Sequence, residues 1–226
     1  MKNIAIIVAG GKGKRMGQPK QFLPIKGRPM LAWTVAAFDR AKIINGIILV
    51  VSKEQLRQAM KIKSPKILAV TVGGEERFDS VSNGLALLPP SAQFVVIHDG
   101  ARPAITPEII SRSITEAKKT GAAVVGVPVK DTVKRVATFD AHVIQETLDR
   151  SVLWQAQTPQ TFLVKIIRQA YAQMASGNKR HVTDDSILVE KLGIKVKMVM
   201  GSYFNLKVTT PEDLAIMSVI LGRRSK

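Results

Sequence analysis

Residues 4–20 read IAIIVAGGKGKRMGQPK, and the order of these letters decides the fold class. Ile4 to Val8 form an unbroken aliphatic run, the pattern of a strand buried on both faces rather than one with a wet side. The run empties into Ala9-Gly10-Gly11 and then into a stretch carrying Gly13, Lys12, Lys14, Arg15 and Lys20. Glycines let a backbone turn tightly and bring its N–H groups up to an anion, while lysine and arginine add fixed positive charge. A buried strand followed by such a turn places a phosphate cradle at the carboxyl edge of an open α/β sheet, where these sheets put their ligands. A merely tight turn with solvent-facing lysines rarely needs so many glycines and cations together.

Working outward, the same punctuation recurs. Gly46–Val51, Ile67–Val72, Phe94–His98 and Ala122–Val127 are further β-branched runs. Met30–Arg40, Lys53–Lys61, Asp79–Leu88 and Pro107–Thr120 read as the helices between them. Apolar strands alternating with helices imply a mostly parallel sheet wrapped on both sides. Thr106-Pro107 supplies an N-cap and an N1 proline, and Thr210-Pro211-Glu212-Asp213 does the same for a last helix. Thr132–Ala137 and Val143–Leu148 break the alternation as two strands of a hairpin too polar to be core. Exposed hairpins of this kind form arms that clasp a second subunit. No repeat or linker interrupts residues 1–226, so the expectation is one domain with an arm at about 130–150.

Composition narrows the partners. A 226-residue chain that is 46% hydrophobic but only 5% aromatic suits an aliphatic α/β interior and argues against disorder. It has no cysteine, which excludes disulfides and thiolate metal sites and fits a cytoplasmic location. No apolar run approaches the roughly 18 residues of a membrane span, so no membrane partner is expected. The net charge of +17 calls for an anionic partner, either nucleic acid or a polyphosphate substrate. Lys118, Lys119, Lys165, Arg168 and the tail residues Arg223, Arg224 and Lys226 are scattered and do not interleave with aromatics. A single-strand stacking platform needs that interleaving, so polyphosphate is the better reading and no nucleic acid is expected.

Two common phosphate loops can be tested against residues 9–20. A Walker loop ends in Gly-Lys-Ser/Thr, which is absent. The dinucleotide fingerprint begins well with Gly11 and Gly13, but Met16 stands at its third glycine. Its ribose-binding acid should close the second strand, where Ser52-Lys53 stand instead. A loop rich in Gly and Lys/Arg that ends in Pro19-Lys20 resembles the nucleotidylyltransferases.

Further constellations follow the later strands. Gly73-Gly74-Glu75-Glu76-Arg77-Phe78-Asp79-Ser80 brings backbone and hydroxyl groups to a helix start, with Asp79 or Ser80 as the cap. Val96-Ile97-His98-Asp99-Gly100-Ala101-Arg102-Pro103 ends a strand in a carboxylate that suits Mg²⁺, although an aspartate also caps turns; His98 alone reads as structural. Val129-Lys130-Asp131-Thr132-Val133-Lys134 and Asp149-Arg150 bracket the hairpin, and Trp154-Gln155-Ala156-Gln157-Thr158-Pro159-Gln160 follows it. Val182-Thr183-Asp184-Asp185 reads as a helix cap with acids in the first turn. Lys207, in Asn205-Leu206-Lys207-Val208-Thr209-Thr210-Pro211-Glu212-Asp213-Leu214, lies where packing alone would not ask for a cation.

Taken in order, these segments resemble the 2-C-methyl-D-erythritol 4-phosphate cytidylyltransferase family nearly end to end. The resemblance implies a Rossmann-like, nucleotide-diphospho-sugar transferase type of fold and a homodimer joined through the hairpin arm. It implies attack by a polyol phosphate oxygen on the α-phosphorus of CTP, without a covalent enzyme intermediate, in isoprenoid precursor synthesis. Carried over residue by residue, Arg15 and Lys20 stabilise the transition state, and Ala9, Gly10, Gly11 and Gly13 line the nucleotide site. Gly74, Glu75 and Ser80 read cytosine, Gly100 lies by the ribose, and Asp99 binds Mg²⁺. Thr132, Arg150, Thr183 and Lys207 hold or aim the second substrate, with Thr132 and Arg150 serving the neighbouring subunit, and Arg102 orients Asp99 or its loop.

The sequence departs from the family in three places. Phe204 stands where many members carry an acid near the metal, which leaves Asp99, triphosphate oxygens and water to hold the ion. The stretch between Arg15 and Lys20 is shorter than in many relatives, and Gln157 carries no evident meaning. Phe204-Asn205 also resembles ribitol-5-phosphate cytidylyltransferases. Ala101-Arg102-Pro103, Lys130-Asp131-Thr132 and Val182-Thr183-Asp184-Asp185 favour the methylerythritol family. A non-catalytic nucleotide- or RNA-binding protein is the remaining alternative.

Overall fold

The computed structural model describes residues 2–11, 16, 19–138, 142–174 and 182–224. Its centre is a seven-stranded sheet. The chain enters it through β1 (Lys2–Ala9), makes a two-residue hairpin of β2 (Pro24–Ile25) and β3 (Arg28–Pro29), and runs through α1 (Met30–Arg40) into β4 (Gly46–Val51). A short α2 (Leu56–Ala59), β5 (Ile67–Val72), α3 (Arg77–Ala86), β6 (Ala92–Asp99), α4 (Pro107–Thr120) and β7 (Ala122–Pro128) follow. The arm is β8 (Lys134–Val136) paired antiparallel with β9 (Ile144–Thr147). The chain closes with β10 (Trp154–Leu163), α5 (Val164–Met174), α6 (Ser186–Glu190), β11 (Lys197–Met200) and α7 (Pro211–Arg224).

Strand order is β11-β7-β10-β6-β1-β4-β5. All neighbours are parallel except β10, which runs antiparallel between β6 and β7. The order reverses at β1: the chain first steps outward to β4 and β5, then returns to β6 on the other side. That reversal opens a crevice at the carboxyl ends of β1, β4 and β6, the usual ligand position in an open α/β sheet.

Every residue of β4 is buried, and β1 is buried from Asn3 to Ile7, as continuous aliphatic runs require. One face packs on α1 and α4 through Phe38, Ile110 and Ile114, the other on α3, α5 and α6 through Phe78, Ile167 and Leu188. A third cluster, including Ile25, Met30, Val208 and Met217, seats α7 against β2.

Several expectations shift. The expected helix at 53–61 is a single 3₁₀ turn, Lys53–Gln55, followed by α2 only four residues long. The helix expected from Asp79 begins at Arg77, and its cap is neither Asp79 nor Ser80. Glu76 caps it, with Asp79 reaching back in a reciprocal capping box. Thr106 does cap α4, accepting from the Ile109 N–H at 3.4 Å. No helix among the described residues is long and apolar enough to cross a membrane.

Candidate active site

The crevice at the strand ends is a cleft of about 380 Å³ whose wall includes Gly10, Gly11, Lys20, Gly74, Arg77, Asp99 and Lys207. Its glycines are set by close approach. A Cβ on Gly74 would stand 2.3 Å from the Asp79 Cβ, and one on Gly73 would stand 2.5 Å from the Ser80 hydroxyl. Ser80 is buried beneath this turn, accepting from the Gly74 N–H at 3.2 Å and donating to the Glu76 carbonyl at 3.2 Å. Its hydroxyl therefore shapes the lip of the cleft through the backbone.

Asp99 closes β6 and is ringed by cations. Lys207 Nζ lies 2.9 Å from Oδ2, Arg102 Nε 3.7 Å from the same oxygen, and Arg77 Nε 3.5 Å from Oδ1. Burial alone would raise its pKa, but Lys207, Arg77 and Arg102 together hold it far below the ordinary carboxylate range. Arg102 also donates to the Asn205 carbonyl at 2.8 Å, tying the segment that carries Lys207 to the end of β6.

Behind Asp99 runs a buried hydrogen-bond chain. The Asp99 N–H donates to Thr158 Oγ1 at 3.1 Å, and the Thr158 hydroxyl lies 2.9 Å from His98 Nδ1. His98 Nε2 lies 3.3 Å from the Arg102 carbonyl, which can only accept, so the imidazole proton belongs on Nε2 and Thr158 donates to Nδ1. Burial drives the His98 pKa down to about 3, against a smaller opposing pull from Asp99.

An acid-stability prediction follows from that value. Between about pH 6.5 and pH 3 the unfolded chain binds a proton at His98 that the folded chain does not, so stability rises with pH across this window. Unfolding free energy from urea titrations should rise by about 1.4 kcal/mol per pH unit from pH 3 toward pH 6.5, the slope for one proton. A flat profile from pH 6 to pH 4 would contradict a buried neutral imidazole.

Arg77 joins the cleft to a fully buried acid 108 residues away. Its Nη1 and Nη2 donate to Asp185 Oδ1 and Oδ2 at 2.8 and 2.7 Å. Tyr171 donates to Oδ1 at 2.6 Å and stacks on Phe78 with ring centroids 4.5 Å apart. Burial would lower the Arg77 pKa, but Asp185 and then Asp99 reverse that and raise it. Gln160 on β10 completes the seat: its Oε1 accepts from the Asp185 and Ser186 N–H groups at 2.9 and 3.1 Å, while its amide donates to Asp184. Asp184 lies just ahead of α6 and accepts from the Ile187 N–H at 3.1 Å, but the N-cap position is Asp185 and the first turn holds no acid, because the helix starts later than Thr183-Asp184-Asp185 suggests.

A parallel strand end bearing a glycine turn, a ringed carboxylate and lysines is suited to polyphosphate chemistry, and comparison with known proteins specifies which. The chain matches the family described as 2-C-methyl-D-erythritol 4-phosphate cytidylyltransferase over residues 3–223. It belongs to that family. A relative named 2-C-methyl-D-erythritol 4-phosphate cytidylyltransferase, from Alkaliphilus metalliredigens, is 46% identical over 99% of this chain and 94% of its own length. The crystal structure of 4-diphosphocytidyl-2C-methyl-D-erythritol synthase from Anaerococcus prevotii superposes with a TM-score of 0.87 at 35% identity, covering 98% of this chain and 96% of that one. The cytidylyltransferase from Thermus thermophilus does so with a TM-score of 0.78 at 31% identity, covering 99% and 100%.

Set against this family, the residues singled out in the sequence divide into groups. Gly10, Gly11, Lys20, Gly74, Glu75, Ser80, Asp99 and Lys207 share the cleft wall. Ala9 and Gly100 lie buried at the ends of β1 and β6, joined by the Gly100 N–H to the Val8 carbonyl at 2.8 Å. Arg102 stands behind Asp99. Thr132 and Arg150 lie exposed at the base of the arm, and Thr183 lines a different hollow, beside Trp154 and Ile187. None of these three lines the cleft of its own chain. Arg15 and Gly13 lie outside the described residues.

Sequence reasoning missed the work of Arg77, Asp185, Thr158 and Gln160. The signal for Arg77 was present, a cation placed after two acids at a helix start. Its partner was hidden by the chain separation. Gln157, which carried no evident meaning, donates to the Ser202 carbonyl at 2.9 Å and accepts from Asn205 Nδ2 at 3.1 Å. It thereby braces the turn holding Phe204, whose side chain is 57% exposed and off the cleft wall.

Proposed function

We propose that the chain transfers CMP from CTP to 2-C-methyl-D-erythritol 4-phosphate, releasing pyrophosphate and forming 4-diphosphocytidyl-2-C-methyl-D-erythritol for isoprenoid precursor synthesis in the cytoplasm. The observation that carries this reading is the convergence of Lys20, Lys207, Arg77 and Asp99 on one cleft under the glycine edge of β1. An acceptor phosphate oxygen attacks the α-phosphorus, the bond from that phosphorus to the bridging oxygen breaks, and pyrophosphate leaves with the electron pair. Lys20 and Lys207 stabilise the crowded anionic phosphorus, and Arg15 joins them on the strength of the family likeness. Backbone at Gly10, Gly11 and Gly74 allows the nucleotide close approach.

Among the described residues no group of three or more metal-ligating side chains forms a ready-made cage. Mg²⁺ commonly takes one or two carboxylates and completes its shell with substrate phosphates and water, so a single ionised Asp99 fits it. Asp99 would hold the ion, which when bound neutralises charge between the phosphates.

The partner molecules are CTP, the polyol phosphate and a second copy of the chain. Exposed Val143, Ile144 and Val152 on and beside the arm favour its burial against that copy. Arg150, whose guanidinium donates to the Lys130 carbonyl, would then reach the neighbour's acceptor. Arg150→Ala should raise KM for methylerythritol phosphate about ten-fold or more with a smaller change for CTP. Equal mixing of Arg150→Ala and Asp99→Asn subunits should restore about one quarter of the sites, since half of the dimers are mixed and each has one intact site. No recovery would remove the cross-subunit assignment. The reaction itself is tested by pyrophosphate release from CTP with methylerythritol phosphate or ribitol 5-phosphate. Turnover of ribitol 5-phosphate alone, or of neither, would overturn it.

A further inference from the structure

We infer that Gln21 is a positioning residue that pre-forms the glycine turn for CTP, an inference that rests on the nucleotide reading above. The single 3₁₀ turn Lys20–Phe22 sends three neighbouring side chains to three tasks. Lys20 lines the cleft, Phe22 packs on the core beneath α1, and Gln21 turns back to the far end of the glycine segment. Its Nε2 donates to the Gly11 carbonyl at 3.0 Å, joining residues ten apart in sequence across the mouth of the cleft. The Leu23 N–H to Lys20 carbonyl bond at 3.0 Å fixes the turn from which it reaches.

Two features separate this from ordinary packing. Gln21 is only 3% exposed, and its Oε1 is buried without a hydrogen-bond partner among the described residues. A buried amide left half-satisfied lowers stability, whereas an apolar side chain of similar shape would fill the same space without an orphan acceptor. The benefit of the amide is therefore found at Gly11. A peptide group is planar, so fixing the Gly11 carbonyl fixes the whole peptide that follows it. Glycine is also the residue with most backbone freedom to lose, so an unpinned Gly10-Gly11 would have to be ordered when CTP arrives, weakening binding. The identity of the donor matters too: only the N–H end of the amide can face a carbonyl.

The test uses Gln21→Met, which keeps size and removes polarity, and Gln21→Glu, which keeps shape but cannot donate when ionised. CTP affinity is read by calorimetry without acceptor, and thermal unfolding is read without nucleotide. Both variants should bind CTP about three- to ten-fold more weakly, the range of one lost neutral hydrogen bond. KM for the acceptor should stay unchanged, and Gln21→Met should unfold no earlier than the parent. Parental CTP affinity in both variants would overturn the inference, as would a loss of affinity that merely tracks a lower unfolding midpoint. If Gln21→Met fails to fold, the Gln21→Glu affinity decides alone. A parent that binds CTP but turns over neither polyol phosphate sinks the proposed reaction and leaves the Gln21 comparison readable; a parent that binds no CTP sinks both.

Discussion

Lys20→Ala should lower turnover by about two to three orders of magnitude, the usual loss when one group aimed at a developing negative charge is removed. Lys20 is 9% exposed and lines the cleft that Asp99 and Lys207 share. Its charge is thus held in a partly desolvated position where interaction with a phosphorane-like transition state is stronger than in water. The backbone it stands on does not depend on it: the Leu23 N–H still meets the residue-20 carbonyl, and Phe22 still packs beneath α1. The loss should therefore appear in kcat, with an unchanged circular dichroism spectrum and an unfolding midpoint near the parent's. A Lys20→Ala enzyme with near-normal kcat would refute the assigned role, and a collapsed one would make the residue structural instead.

Asp185→Ala should be the most damaging substitution for stability among those considered, at about 3–5 kcal/mol, the cost of stripping one partner from a buried ion pair. The carboxylate is wholly buried and accepts from both terminal guanidinium nitrogens of Arg77 and from the Tyr171 hydroxyl, while the Asp185 backbone N–H donates to Gln160. Among the described residues, removing it leaves the Arg77 charge with Asp99 at 3.5 Å as its acidic partner and strands a buried phenol. Urea unfolding at pH 7 checks the magnitude. A change under about 1 kcal/mol would show the pair to be no stronger than a surface bridge. The double variant Arg77→Met with Asp185→Leu should recover part of the stability but not the activity, since the Arg77 contact to Asp99 is lost with it.

These two residues mark what sequence reading could and could not reach. Lys20 was legible because local chemistry announced it: a glycine turn after an apolar strand, ending in Pro-Lys. The bounds of β4, β5, α1 and α4 fall where the β-branched runs and the Thr106-Pro107 cap place them. Asp185 was legible only as a helix-capping acid, because its partner lies 108 residues earlier and no local pattern joins them. β10 was hidden for a different reason. Gln157, Thr158, Gln160 and Thr161 are polar, and Pro159 interrupts the run, features that argue against a central strand. They sit in the core because each of the four has a hydrogen-bonding partner there. The pairing with β7 is irregular between Ala156 and Gln160, spanning that proline. The arm was recognised from its polarity, but strand edges were overestimated by one or two residues where the ladder frays.

The antiparallel insertion of β10 has a consequence for how the chain is made. Strands β1, β4, β5 and β6 can zip together once the first hundred residues have left the ribosome. β7 has no such neighbour, since the strands it pairs with are β10 and β11, which are synthesised after the arm. A nascent chain that has reached residue 150 therefore carries an apolar strand, Ala122–Pro128, with both edges open. Ribosome stalling in the arm would expose that strand to neighbouring chains, and chaperone demand should peak there until Trp154–Leu163 emerges and closes the gap.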